Sequence, residues 1–173
     1  MKQENKIIVL SPIEELFSQK ELYDMFLKIK PRLHHCYDHS CLFAHYMEKA
    51  YPTIEYHEGL YSDYLILHAW NSIVKEGERK YFDFTGYFLE KSHKIERFGD
   101  AHLLRTYSPK EIFKLMYKKG NWGCQMELDG SYKKFVYENY KKEMEIIDRL
   151  KTFEKKIYEN EKKHEILCPC VSC

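Results

Sequence analysis

Two extended, apolar-rich segments, Tyr64–Val74 and Arg79–Thr85, flank the tetrapeptide Lys75-Glu76-Gly77-Glu78, and no other feature restricts the fold of this chain as strongly. A short Gly-containing connection between such segments predicts an antiparallel hairpin. A four-residue loop pairs Val74 with Arg79, and the register then runs down both strands so that Trp70 opposes Asp83 and His68 opposes Thr85. Asp83 becomes the diagonal neighbour of His68 on one face. Asn71 turns to the other face, with Leu65, Leu67, Ala69, Phe82 and Phe84. Any even loop length preserves this pairing, whereas an odd loop or a bulge separates the histidine from the carboxylate.

The remaining elements follow from punctuation. Ser11-Pro12-Ile13-Glu14 and Ser108-Pro109-Lys110-Glu111 each place Ser at a cap, Pro at the first helical position and Glu three residues after the cap. They predict helices ending near Lys30, before Pro31, and near Gly120. Asp38–Ala50 reads as a further helix that opens around Cys36 and stops before Pro52. Thr53–Tyr61 precedes the hairpin as a strand, and Leu103–Tyr107 is a short one after it. From Ser131 to about His164 there is neither Pro nor Gly, and Val136, Tyr140, Met144, Ile147, Leu150, Phe153 and Ile157 recur at steps of three or four. One helix of that length is roughly 50 Å long and needs a core or a partner helix along its apolar stripe. The expected fold class is therefore α+β. A Cys-bearing helix packs on a small antiparallel sheet within residues 1–130, and residues 131–173 form a long helix with a Cys-rich tail.

Charge removes some functions from consideration. With 28 Lys plus Arg against 27 Asp plus Glu, nothing in bulk draws the chain to nucleic acid or to a membrane surface. The apolar run Ile7-Ile8-Val9-Leu10 is too short for a signal peptide or a bilayer span. Six cysteines without an export signal point to free thiols in a reducing compartment, so the expected location is the cytoplasm.

Among those thiols Cys36 stands out. A thiol attacks an acyl group only as the thiolate, so catalysis needs a feature that favours that form, a base, and a group that holds the base. Cys36 opens its helix, where unpaired amides and the helix dipole favour an anion. Along that helix Cys36, Ser40, Phe43 and Met47 fall near one stripe, widened by Leu42, Tyr46 and Ala50. Cys41 lies about 140° round, beside His45 and Glu48 on a face expected to be exposed. His68 is the candidate base and Asp83 the candidate orienter, with Trp70 a substrate-binding wall. His57 is a spare base. His34 or His35 could donate to an oxyanion.

Cys36 at a helix start, then Tyr56-His57-Glu58-Gly59, His68-Ala69-Trp70-Asn71 and Asp83-Phe84-Thr85, resembles the transglutaminase-like branch of the papain-like cysteine superfamily. The resemblance covers residues 31–88, about a third of the chain. Members carry the Cys at a helix N-terminus and the His and Asp on successive strands, often as His-Ala-Trp and Asp-Pro-Thr; here Phe84 stands in place of the Pro. The resemblance implies that Cys36 attacks a carbonyl carbon to form a thioester, that His68 shuttles the proton, that Asp83 holds the imidazole, and that the Cys36 amide helps bind the oxyanion. It implies no cofactor. It leaves peptidase, amidase, deamidase and acyltransferase activities open, on a protein, peptide or small amide substrate.

His164, Cys168, Cys170 and Cys173 crowd the end of the chain and supply the number and type of ligands that tetrahedral zinc takes, for a structural site. The competing expectation is a non-enzymatic adaptor that recruits a partner, or a second copy of itself, through the 131–164 helix and this zinc-bound tail. Trp122-Gly123-Cys124 suits either a pocket rim or a buried turn.

Overall fold

The computed structural model describes residues 2–32, 35–61, 66–93, 99–121 and 123–139. The chain divides into two compact units, residues 1–128 and 129–173. The first is an α+β unit built from β1 (Lys2–Val9), α1 (Gln19–Ile29), α2 (Cys36–Met47), β2 (Glu55–Tyr61), β3 (Ile66–Lys75), β4 (Glu78–Phe82), α3 (Phe84–His93), β5 (Asp100–Tyr107), α4 (Pro109–Phe113) and α5 (Gln125–Leu128). In the second, α6 (Ser131–Asn139) is helical. The rest of the expected long helix, and the candidate zinc ligands His164, Cys168, Cys170 and Cys173, lie outside the described residues.

The five strands form one sheet in the order β1-β5-β2-β3-β4, with each ladder antiparallel. Its two edges also meet. Leu10, just beyond β1, bridges Tyr81 of β4, and the Ser11 N–H donates to the Tyr81 carbonyl at 2.7 Å. The sheet is thus curled toward a small barrel, a shape that twist favours once edge strands can pair.

Both faces of the curl are apolar. One face carries Tyr56, Ala69, Ile73, Phe82 and Tyr107 and packs against Phe17, Leu22, Met25, Phe43, Ala44 and Met47. Phe17, Phe43 and Phe82 meet edge to face with ring centroids 5.0–5.4 Å apart, contacts worth about 0.5–1.5 kcal/mol each beyond their buried area. The inner face holds Ile8, Tyr61, Trp70, Tyr81, Ala101 and Leu103. Gly59 opposes His68 on β2. A Cβ there would stand 1.9 Å from the His102 carbonyl oxygen and 2.6 Å from the Trp70 ring. Only glycine lets the indole and the β5 backbone come so close.

Three sequence expectations change, and one element is new. Ser11-Pro12 opens only a 3-10 turn, Ile13–Glu15, because the Ser11 amide is tied to β4; α1 starts instead at a capping box, with Ser18 accepting from the Glu21 N–H and the Ser18 N–H donating to Glu21 Oε2. The N-terminus, to which the sequence assigned no element, is a strand paired with β5. Arg79–Thr85 is not extended throughout: β4 stops at Phe82, and α3 begins at Phe84 with the Tyr87 N–H bonded to the Asp83 carbonyl. Cys41 is fully buried in the main core, since α1, α3, α4, β2 and β3 all pack on α2 and enclose more of its circumference than one sheet face would. Ser108 caps α4 as expected, through the Glu111 N–H.

Candidate active site

The hairpin supplies the first pair of groups. Val74 pairs with Arg79 and Asn71 with Phe82, the register read from the sequence, although the turn is tighter than expected: Lys75 pairs with Glu78, leaving only Glu76 and Gly77, both at positive φ. A two-residue turn of this kind matches the strand twist. Being even, it keeps His68 and Asp83 on one side. His68 Nε2 lies 2.8 Å from Asp83 Oδ2.

Asp83 sits one residue past the strand and doubles as the residue before α3. The Gly86 amide stabilises its carboxylate, as does the hydroxyl of Tyr61, which donates to the same Oδ2. Burial works against the charge on Asp83, yet His68 and these donors hold its carboxyl below the usual range. Gly86 also gives the carboxylate its space, because a Cβ would lie 2.6 Å from Oδ2. Gly86→Ala is therefore expected to leave the chain folded but to displace the carboxylate. The displacement should lower the alkylation rate of Cys36 at pH 6 about threefold to tenfold, and an unchanged rate would show that Asp83 is not held by this contact.

With Nε2 committed to Asp83, Nδ1 is the nitrogen of His68 left to face a second partner. The Cys36 sulfur lies near enough to the ring to act on its charge. Cys36 is the first residue of α2 and keeps 9% of its surface exposed. Burial disfavours the imidazolium, but the Asp83 carboxylate and the Cys36 sulfur outweigh it and push the His68 pKa up to about 10. Unlike α1 and α4, α2 has no capping side chain from its N-cap, His35. The first-turn amides, which have no intrahelical acceptor, remain beside the sulfur.

The other candidates fall into place around this group. Trp70 is fully buried behind His68, with ring centroids 6.5 Å apart. Asn71 faces α2 and donates to the Ser40 carbonyl at 2.9 Å. His57 is buried with Nδ1 2.9 Å from Thr106 Oγ1 and Nε2 2.8 Å from Ser72 Oγ, and burial holds its pKa well below the ordinary value. Both of its nitrogens are occupied, so it is a structural histidine. His35 is exposed and bonded to Asp38 at 3.0 Å; His34 lies outside the described residues. Cys124 is a buried turn residue whose thiol reaches Glu58 at 3.6 Å. Glu58 also accepts from the amides of Gln125 and Met126 and from the Tyr56 hydroxyl, and burial raises its pKa. Trp122 lies outside the described residues.

Compared with known proteins, the chain matches no family model, no curated protein and no solved structure. No described helix is long and apolar enough to cross a membrane.

Two residues of the site escaped the sequence reading. Tyr61 shares the face of Gly59 and His68, as the β2–β3 register shows. His39, one turn after Cys36, is buried. Its Nε2 accepts from the Arg32 amide at 3.0 Å, so its proton is on Nδ1, which donates to Thr85 Oγ1 at 3.1 Å. It ties α2 to the start of α3, beside Asp83.

Proposed function

We propose that the chain is a thiol-dependent hydrolase or acyltransferase of the transglutaminase-like, papain-like kind, acting on an acyl or amide group of a protein, peptide or small amide. The observation that carries the reading is the bond of His68 Nε2 to Asp83, with Cys36, the first residue of α2, near enough to act on the charge of the same ring. The Cys36 sulfur attacks the carbonyl carbon, and the first-turn amides of α2 bind the oxyanion. The tetrahedral intermediate collapses as His68 gives its proton to the leaving amine, forming a thioester. Water or a second amine then loses a proton to His68 and attacks, and the sulfur leaves. No cofactor is needed for these steps. The free thiols of Cys36, Cys41 and Cys124 suit a reducing, cytoplasmic setting.

The test is alkylation by iodoacetamide across pH, read peptide by peptide, with buried Cys41 and Cys124 as controls. In wild type Cys36 should react at pH 6 at least about tenfold faster than the controls, and His68→Ala should remove that advantage. If Cys36 behaves like Cys41 in both proteins, the reading fails.

A further inference from the structure

We infer that Tyr61 is a positioning residue of this site, its hydroxyl holding the Asp83 carboxylate and, through it, the plane and the proton of the His68 ring. The inference rests on the reading of Cys36, His68 and Asp83 as one site.

Two donors converge on one oxygen. The Tyr61 hydroxyl and His68 Nε2 both bond Asp83 Oδ2, while Oδ1, also buried, has no partner among the described residues. Besides the Gly86 amide, which also stabilises the carboxylate, its orientation depends on what holds Oδ2. Asp83 lies at a strand–helix junction, where its backbone is fixed by the Tyr87 bond but its side chain needs donors of its own. Tyr61 supplies one, and its ring also stacks on the imidazole, with centroids 4.6 Å apart and planes 29° from parallel. One side chain thus restrains both members of the pair.

The bond also has a chemical consequence. A carboxylate that already accepts a hydroxyl proton is a weaker base. It draws the imidazolium proton less strongly, so the proton stays available for the leaving group. Burial and the neighbouring Asp83 charge keep the Tyr61 phenol protonated, which makes it a donor throughout the working pH range.

Tyr61→Phe keeps the ring and its stacking and removes only the hydroxyl. The readout is the titration of His68, followed by NMR of ring nitrogens labelled with 15N. Removing the donor should concentrate charge on Asp83 and lower the acid dissociation constant of His68 by about threefold to tenfold. A packing role alone leaves the constant unchanged, and that result would overturn the inference. Incorporation of 3-fluorotyrosine, a more acidic phenol and a stronger donor, should raise the constant instead; it needs no mutation and decides the matter if Tyr61→Phe does not fold. An unmoved or lowered constant there counts against Tyr61. Failure of the catalytic reading shows elsewhere, as Cys36 alkylation indifferent to His68→Ala, and leaves the His68 titration interpretable.

Discussion

In Asp83→Asn, His68 should be neutral at pH 7, where in wild type it carries a proton. Three influences set its wild-type pKa of about 10: burial lowers it, and the Asp83 carboxylate and the Cys36 sulfur raise it. The substitution removes the fixed charge at 2.8 Å, the first of the two raising influences, and leaves burial opposed by the Cys36 sulfur alone. The pKa should then fall below the ordinary histidine value of about 6.5, a thousandfold or larger change in acid strength. Asn keeps the size of Asp and can accept from Tyr61, so the fold should survive. The titration of labelled His68 reads the result directly. A His68 still protonated at pH 7 in Asp83→Asn would mean that Asp83 does not set its charge, and Cys36 would then have to be paired with an imidazolium stabilised by something else.

The relation between His68 and Asp83 was legible because it depends on parity, and parity survives local error. The turn came out two residues shorter than the loop expected, yet Val74 still faces Arg79. Asn71 lies on the opposite face, as the same rule requires, bonded to Ser40 of α2. Cys36 was legible because helix punctuation is local. What stayed hidden depends on contacts distant in sequence. β1 begins with the polar run Lys2-Gln3-Glu4-Asn5-Lys6 and becomes a strand only by pairing with β5, about a hundred residues on. The burial of Cys41 follows from several elements enclosing α2, which a single-helix projection cannot represent. The central strand β2 is buried on both faces, so the polar–apolar alternation that would have placed Tyr61 is absent: from Tyr56 to Tyr61 it is buried at every position. His57 reads as a spare base until its two hydroxyl partners are seen, and nothing local in the sequence singles out His39, whose role rests on partners in other elements.

Acidification from pH 6.5 to pH 4 should destabilise the protein, and His39 should account for a large share of the loss. Burial and the nearby His35 lower its pKa to about 4, against an ordinary value of 6.5. A group whose folded pKa is depressed contributes stability that is complete above its unfolded pKa and disappears as pH falls through the folded one. For His39 this amounts to about 3 kcal/mol by pH 4. His57 acts with the same sign, since burial and the charges of Arg79 and Lys6 also depress it. His68 acts oppositely: its raised pKa contributes fully below pH 6.5 and is lost only as pH climbs toward 10, so it is constant across this window. Asp83, depressed below 3.8, matters only in stronger acid, and buried Glu58, with its raised pKa, offsets part of the loss. His39→Gln isolates the effect. Its amide can accept from Arg32 and donate to Thr85 without titrating, so urea unfolding at pH 7, 5.5 and 4.5 should show a shallower fall than wild type. Equal steepness would show that His39 does not enter the fold as a neutral ring. Because His39 joins α2 to Thr85, two residues from Asp83, protonation there also loosens the support of the carboxylate. Cys36 reactivity should therefore decline over the same pH interval in wild type, and should persist to lower pH in His39→Gln.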